Sequence, residues 1–356
     1  MRSLGNFPDP FMAEIAGQPD ALRRAAVRCV EHADRFARLA QLASERTLIF
    51  TGMGSSYHAC YPAVAELASA GVPAIMVDSA ELLHYRRELL GPGTLLVAVS
   101  QSGESAEVVR VAEEARARSA PPAIVAVTNG ERNPLAALAD VVFDTDAGPE
   151  SGPSTMTFVG ALVAVGMIGR VLGGRGSDAA LEHLEAEAEI AAVAIERILD
   201  DAGLPDTLAE WLEGRTNVVI LGRGPARAAA EMGALTIKEA VAMPIESLQT
   251  AQFRHGPLEM VGPSLAAIVI ATEPETVDLD MSLSSELIEG GAAVFLVTQG
   301  THAPMSTPQL AIGHIDRLLR PAVAIVPAQL LAWRLSVLQG REPGAYHRAS
   351  KVTTRE

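Results

Sequence analysis

Cysteine is almost missing from this chain. Cys29 and Cys60 are the whole supply in 356 residues, too few for a disulfide framework or a zinc cluster. Basic charge is also short, with Lys+Arg 28 against Asp+Glu 43 and a formal net charge of -15. A surface for nucleic acid or an anionic membrane needs clustered Lys and Arg, so that balance argues against both partners. It leaves room for one small phosphate held by amides and hydroxyls. No long hydrophobic run is present either: the longest, Phe158 to Ile168, is too short to span a bilayer. The start, Met1-Arg2-Ser3-Leu4-Gly5-Asn6, has no apolar stretch of signal-peptide length, which points to a cytoplasmic protein. What the chain does have is 49% hydrophobic and 20% charged residues, which excludes intrinsic disorder, and length for two domains.

Apolar β-branched runs alternate with helical patterns. Thr47-Leu48-Ile49-Phe50, Leu95 to Val99 and Ile124 to Val127 have the composition of buried strands, each followed by Gly, Ser, Thr or Asn. Tyr61 to Ala70 and Ala106 to Ala117 between them have helical spacing. Strands separated by helices predict parallel βαβ units in an α/β fold. The pattern then recurs. Val218-Val219-Ile220-Leu221-Gly222-Arg223-Gly224 echoes Leu48-Ile49-Phe50-Thr51-Gly52-Met53-Gly54 at an offset of 170, and Val294 to Gly300 echoes Ile124 to Gly130 at the same offset. Ala267 to Ala271 matches Leu96 to Ser100 at 171. Three ordered matches predict two copies of one domain, joined near Ala202-Gly203-Leu204-Pro205. The expected organisation is a helical segment over 1–45, one domain over 46–200, its copy over 201–340 and a polar tail over 341–356.

The copies differ chemically. After its Leu95 to Val99 strand the first runs into Ser100-Gln101-Ser102-Gly103-Glu104-Ser105, whereas the second has Ala271-Thr272-Glu273-Pro274-Glu275-Thr276. Glu273 and Glu275 would repel a phosphate, and Pro274 removes an amide donor. The first copy also offers Gly54-Ser55-Ser56 and Ser154-Thr155. Together these loops carry seven hydroxyls: Ser55, Ser56, Ser100, Ser102, Ser105, Ser154 and Thr155. In an open parallel sheet such loops sit beyond the carboxyl ends of strands, at helix N-termini that favour anions. Any one of them alone is better described as a helix cap or turn; three in one copy favour a sugar-phosphate site.

On these residues the chain resembles the tandem sugar isomerase (SIS) domain family, specifically the isomerase half of glucosamine-6-phosphate synthases, the glutamine–fructose-6-phosphate aminotransferases. The resemblance runs through Met12 to Pro19, Gly54 to Ala59, Ser100 to Ser105, Gly148-Pro149-Glu150, Ser154-Thr155, Leu221 to Gly224, Gly233 to Glu239, Arg254-His255-Gly256-Pro257 and the tail from Lys351 to Glu356. It implies an α/β fold of two tandem doubly wound parallel-sheet SIS domains and a tail folded over the active site. It also implies phosphosugar binding by Gly54, Ser55, Ser56, Ser100, Gln101, Ser102, Ser105, Ser154 and Thr155. Glu239 is implied as the base moving a proton between C1 and C2, His255 as the ring-opening group, and Lys351 as an imine-forming amine. A homodimer with shared active sites is implied, with no metal, nicotinamide or pyridoxal phosphate required.

By themselves these residues have plainer descriptions. Lys238-Glu239 suits a solvated helix pair, His255 a loop histidine bonded to backbone, and Lys351 a mobile terminal side chain. Glu246 and Gln252 rank as secondary contacts. Two positions depart from the family: Thr236 and Met156 stand where it has lysines, and the turn at Glu150 is one residue shorter. Because Met1-Arg2 leads almost directly into the isomerase half, glutamine is not expected as the nitrogen source. The expected function is a phosphosugar isomerase or deaminase of the glucosamine-6-phosphate deaminase type. The alternatives are a fructosamine-6-phosphate deglycase and a non-catalytic phosphosugar sensor.

Overall fold

The computed structural model of the chain describes residues 9–300 and 307–355. These divide into two compact units. One, called here the first unit, takes in residues 20–150, 154–189 and 347–355; the second takes in residues 9–19, 151–153, 190–300 and 307–346.

The first unit contains β1 (Thr47–Thr51), β2 (Ala74–Met76), β3 (Thr94–Val99), β4 (Ala123–Thr128) and β5 (Val141–Asp144) in the order β2-β1-β3-β4-β5. All neighbours are parallel, with Thr47 opposite Thr94 and Leu95 opposite Ala123. Every residue of β3 and β4 is buried, as the unbroken apolar runs predict for strands covered on both faces. Because side chains alternate across a strand, Leu96 and Ala98 enter one face. There they pack with Val108, Val111, Ala112 and Ala115 of the helix Ala106–Arg116. Among the helices covering this unit are Tyr61–Ser69 and Met156–Arg170, which pack together. A Cβ at Gly169 would lie 2.8 Å from Ala63 Cα, so glycine is what permits their close approach.

The apolar run that starts at Phe158 is longer as a helix than as a stretch of sequence. The helical segment Met156–Arg175 covers 20 residues, long and apolar enough by length and composition to cross a bilayer, with a kink at Gly174 near its end. Within it, all 15 residues of Met156–Arg170 are buried. Arg320–Leu338 passes the same test and is also mostly buried, at 78%. The acidic stretch that follows forms two helices, Ser177–Leu181 and Leu184–Leu199, parted by a turn at Glu182 and His183, while Gly174 and Gly176, at φ of 95° and 73°, set both apart from the apolar helix before them.

The second unit repeats the first. Its strands are β6 (Asn217–Gly222), β7 (Glu246–Gln249), β8 (Leu265–Ala271), β9 (Ala293–Thr298) and β10 (Gln309–Ala311), ordered β7-β6-β8-β9-β10 and parallel throughout. Counted within each sheet, both orders are 2-1-3-4-5. Val219, Leu221, Ala267 and Val269 share a core with Leu283 and Leu287 of the helix Val277–Glu289. The helix that follows β6 is entered through a short 3-10 turn at Gly224–Ala226. It runs as α-helix over Arg227–Val241 and stops where Ala242 turns left-handed at φ 54°. At the amino end of this unit, Glu14 takes hydrogen bonds from Ser151 N at 2.6 Å and Ser151 Oγ at 2.8 Å.

Candidate active site

In a 2-1-3-4-5 sheet the chain leaves the first and third strands in opposite directions, which opens a crevice beyond their carboxyl ends. In the first unit that crevice lies after β1 and β3. The exit from β1 is tight: a Cβ on Gly52 would stand 2.9 Å from the Val99 carbonyl oxygen, and Gly54 has φ 51°. The short helix Gly54–His58 follows and carries Ser55 and Ser56. Ser56 is buried, and its carbonyl accepts the Cys60 thiol at 3.4 Å. Complete burial pushes the Cys60 thiol well above its ordinary range, and Cys29 up to about 12, so neither is poised as a nucleophile.

The loop after β3 is held by its own hydroxyls. Ser100 and Ser105 share a hydrogen bond at 3.1 Å, Gly103 N donates to Ser100 Oγ at 3.2 Å, and Glu104 N donates to Ser102 Oγ at 3.1 Å. Asn129 N donates to the Gln101 carbonyl at 2.9 Å. Gly103 has φ 65°, and the Asn133 side chain lies 2.0 Å from where a Cβ would stand. The helix Ala106–Arg116 then begins, and its Ala106 N–H donates to Thr353 O of the C-terminal tail at 3.0 Å.

A third wall comes from the turn after β5. Asn129 pins it, accepting from Ala147 N and donating to Gly148 O, both at 2.8 Å. Glu150 follows, its side chain 0% exposed. It accepts from Thr155 N at 2.7 Å, Thr155 Oγ1 at 2.9 Å, Thr157 N at 3.2 Å and the Thr157 hydroxyl. Lys351 Nζ lies 2.6 Å from Glu150 Oε2 and 3.3 Å from Ser154 Oγ, and Ser55 Oγ donates to Ser154 Oγ at 3.1 Å. Ser55, Ser154, Thr155 and Lys351 thus form one bonded cluster. Glu150 and Thr157, given no role from sequence, are its hub. The motif Gly148-Pro149-Glu150 was visible, but the partner that gives it meaning is 201 residues away.

Glu239 and His255 belong to the second unit. Glu239 is half-buried on the helix Arg227–Val241, beside exposed Lys238. Thr236, in place of the family's lysine, is fully buried and donates to Met232 O at 2.9 Å, so it presents no outward polar group. Met156, the other such position, is buried at the start of its helix in the first unit. His255 is exposed between the 3-10 turns Gln252–Arg254 and Pro257–Met260. Glu246 and Gln252 are exposed.

The corresponding crevice of the second unit, after β6 and β8, is not the bare acidic surface expected from Glu273 and Glu275. Glu275 is largely exposed, but Glu273 is buried between Arg320 at 3.0 Å and Arg317 at 3.6 Å. Beside β6, Arg223 lies 2.8 Å from Asp280, whose side chain is 1% exposed. Burial raises both carboxyls, Asp280 to about 6, against the opposing pull of the arginines. The cluster neutralises itself within the fold. Among the described residues, no group of three or more His, Cys, Asp or Glu is placed to hold a metal ion.

Two stretches of the chain, residues 41–169 and 212–338, match the SIS domain family. The chain is 29% identical over 363 aligned residues to the glutamine–fructose-6-phosphate aminotransferase (isomerizing) of Thermococcus kodakarensis, an alignment covering 100% of this chain and 60% of that protein. It therefore spans about 60% of the length of the curated relatives it matches. Among solved structures, the C-terminal domain of glucosamine-fructose-6-phosphate aminotransferase from Francisella tularensis superposes with a TM-score of 0.81 at 22% identity, covering 95% of this chain and 98% of that one. Glucosamine-6-phosphate deaminase from Thermotoga maritima superposes with a TM-score of 0.71 at 18% identity, covering 96% and 99%. At those identities the two structures speak for the fold.

Proposed function

Since the chain belongs to the SIS domain family, we propose that it is a phosphosugar isomerase or deaminase acting on an amino-sugar phosphate. The observation that carries this reading is the bonded cluster of Ser55, Ser154, Lys351 and Glu150 beyond the β1/β3 crevice of the first unit. There a phosphate would meet hydroxyls and helix N-termini, with Gly54, Ser55, Ser56, Ser100, Gln101, Ser102, Ser105, Ser154 and Thr155 as its donors. One amine stands among them.

Proton transfer between C1 and C2 needs an open chain, a base at carbon and an acid at oxygen. Glu239 would take and return the carbon-bound proton. His255 would serve ring opening, as a side chain that can both donate and accept a proton. With an amino-sugar phosphate, moving the proton from C2 to C1 would leave an imine at C2. Lys351 would attack that carbon, its nitrogen forming the new C=N bond as ammonia leaves. Water would then hydrolyse the bond to release the keto sugar phosphate and regenerate the amine. A homodimer would complete the site, as the family resemblance implies.

The test is incubation with glucosamine 6-phosphate beside a fructosamine 6-phosphate. Ammonia should be released from the first, and Glu239→Gln should abolish release. No ammonia across neutral pH sinks the deaminase reading, and preferential cleavage of the fructosamine phosphate would establish a deglycase instead. Binding without turnover of either would leave a sensor.

A further inference from the structure

The crevice of the first unit is organised around a carboxylate. Glu150 is buried, and two amides and two hydroxyls from Thr155 and Thr157 donate to it. A carboxylate offers about four acceptor positions, so these donors fix its direction. Lys351 Nζ is then a fifth partner, at 2.6 Å, with the lysine side chain 18% exposed. A buried carboxylate without a cation is strongly destabilising, so the amine completes the turn while the turn holds the amine. Two residues further on, Thr353 O accepts the Ala106 N–H at 3.0 Å. The tail is thereby fastened twice, to the turn after β5 and to the helix that follows the β3 loop.

We propose that Glu150 is the positioning residue for Lys351: a buried anchor that docks residues 351–353 across the hydroxyl loops and aims the one amine of the crevice. With four other donors on its oxygens, Glu150 acts as a fixed strut, and its removal sets the tail free. The consequence for turnover rests on the phosphosugar reading above, but the docking does not, and its test uses no substrate.

Lys238 and Lys351 are the chain's two lysines, and Lys238 is exposed, which supplies an internal standard. Limited acetylation with an N-hydroxysuccinimide acetate, read by peptide mass spectrometry, should modify Lys351 at least ~10-fold more slowly than Lys238 in the native protein. Glu150→Gln should bring the two rates within about 2-fold, and amide exchange at Ala106 should accelerate ~10-fold. If Glu150 merely shaped its own turn, exchange would rise at Thr155 and Thr157 while Lys351 and Ala106 stayed protected, and the proposal would be wrong. Equal reactivity of both lysines in the native protein overturns it as well. Should Glu150→Gln fail to fold, Lys351→Gln releases the same contact from the other side. Ala106 exchange must then accelerate, and unchanged protection there refutes the anchor.

Discussion

Met53 and Arg223 hold the same step after the first strand of their sheets, and Ser102 and Glu273 the same step after the third. Thr128 and Thr298 at the ends of β4 and β9 even make the same bond, to Gly130 O at 2.6 Å and Gly300 O at 2.7 Å. The backbones of the two crevices are thus alike, and the difference is in how charge is settled. In the first unit the loop hydroxyls bond weakly among themselves, and the cation arrives from the tail. In the second, arginines at 223, 317 and 320 face Glu273 and Asp280 from within the unit. A duplicated crevice can therefore be kept for a ligand or filled by the chain's own side chains, with no change in strand order.

The comparison breaks most sharply if the charge is moved. Ser102→Glu places in the first crevice the residue that fills the second. Affinity for glucosamine 6-phosphate should fall at least ~100-fold, about 3 kcal/mol, by calorimetry. Unchanged affinity would mean that the phosphate sits elsewhere.

The converse change tests the second crevice. Glu273→Ala leaves Arg320, 12% exposed, and Arg317 without their buried partner. A loss of about 3 kcal/mol is expected. Trp211 and Trp333 both lie in the second unit, so tryptophan fluorescence during urea unfolding reports on it directly. Acetate, matching the deleted carboxylate, should restore part of the loss. A variant as stable as the native protein would show that the ion pairs carry no net stabilisation.

Asp280 sharpens the contrast through pH, since the matching buried position on the corresponding helix of the first unit is Val108. Its carboxyl is raised from 3.8 to about 6 by burial, so the folded state binds the proton more tightly than the unfolded state. The stability this contributes is fully present below about 3.8 and is lost as pH rises through about 6. The second unit should gain up to about 3 kcal/mol on going from pH 7 toward pH 4 from this group. Asp280→Asn should remove that component, and a slope identical to the native protein's would assign the titration elsewhere.

Much of this architecture was legible in the sequence, because buried parallel strands are continuous apolar runs and a duplication repeats its glycines. The short edge strands β2, β5, β7 and β10 were less legible: with three or four residues each, they lack a run long enough to identify. Site residues that share a loop could be found by composition. Glu150 could not, because its meaning depends on Lys351, nor could the ion pairs of the second crevice. There Arg223, Glu273, Asp280 and Arg320 are drawn together only when β6, β8 and two helices meet. Glu273 looked like exposed negative charge for the same reason.

The smallest effect separates what the crevices share from what they do not. A Cβ on Gly52 would press the Val99 carbonyl oxygen at 2.9 Å, and one on Gly222 the Ala226 carbonyl oxygen at 2.8 Å. In each case the obstacle is backbone, which cannot rotate away. Gly52→Ala and Gly222→Ala should therefore cost similar stability, roughly 1–3 kcal/mol each. Ligand binding should distinguish them: Gly52→Ala pries apart the exits of β1 and β3 and should weaken glucosamine 6-phosphate, whereas Gly222→Ala should leave its affinity within about 2-fold, some 0.4 kcal/mol. Equal losses of affinity would mean that both crevices serve the ligand, and the division of labour drawn from their charges would fall.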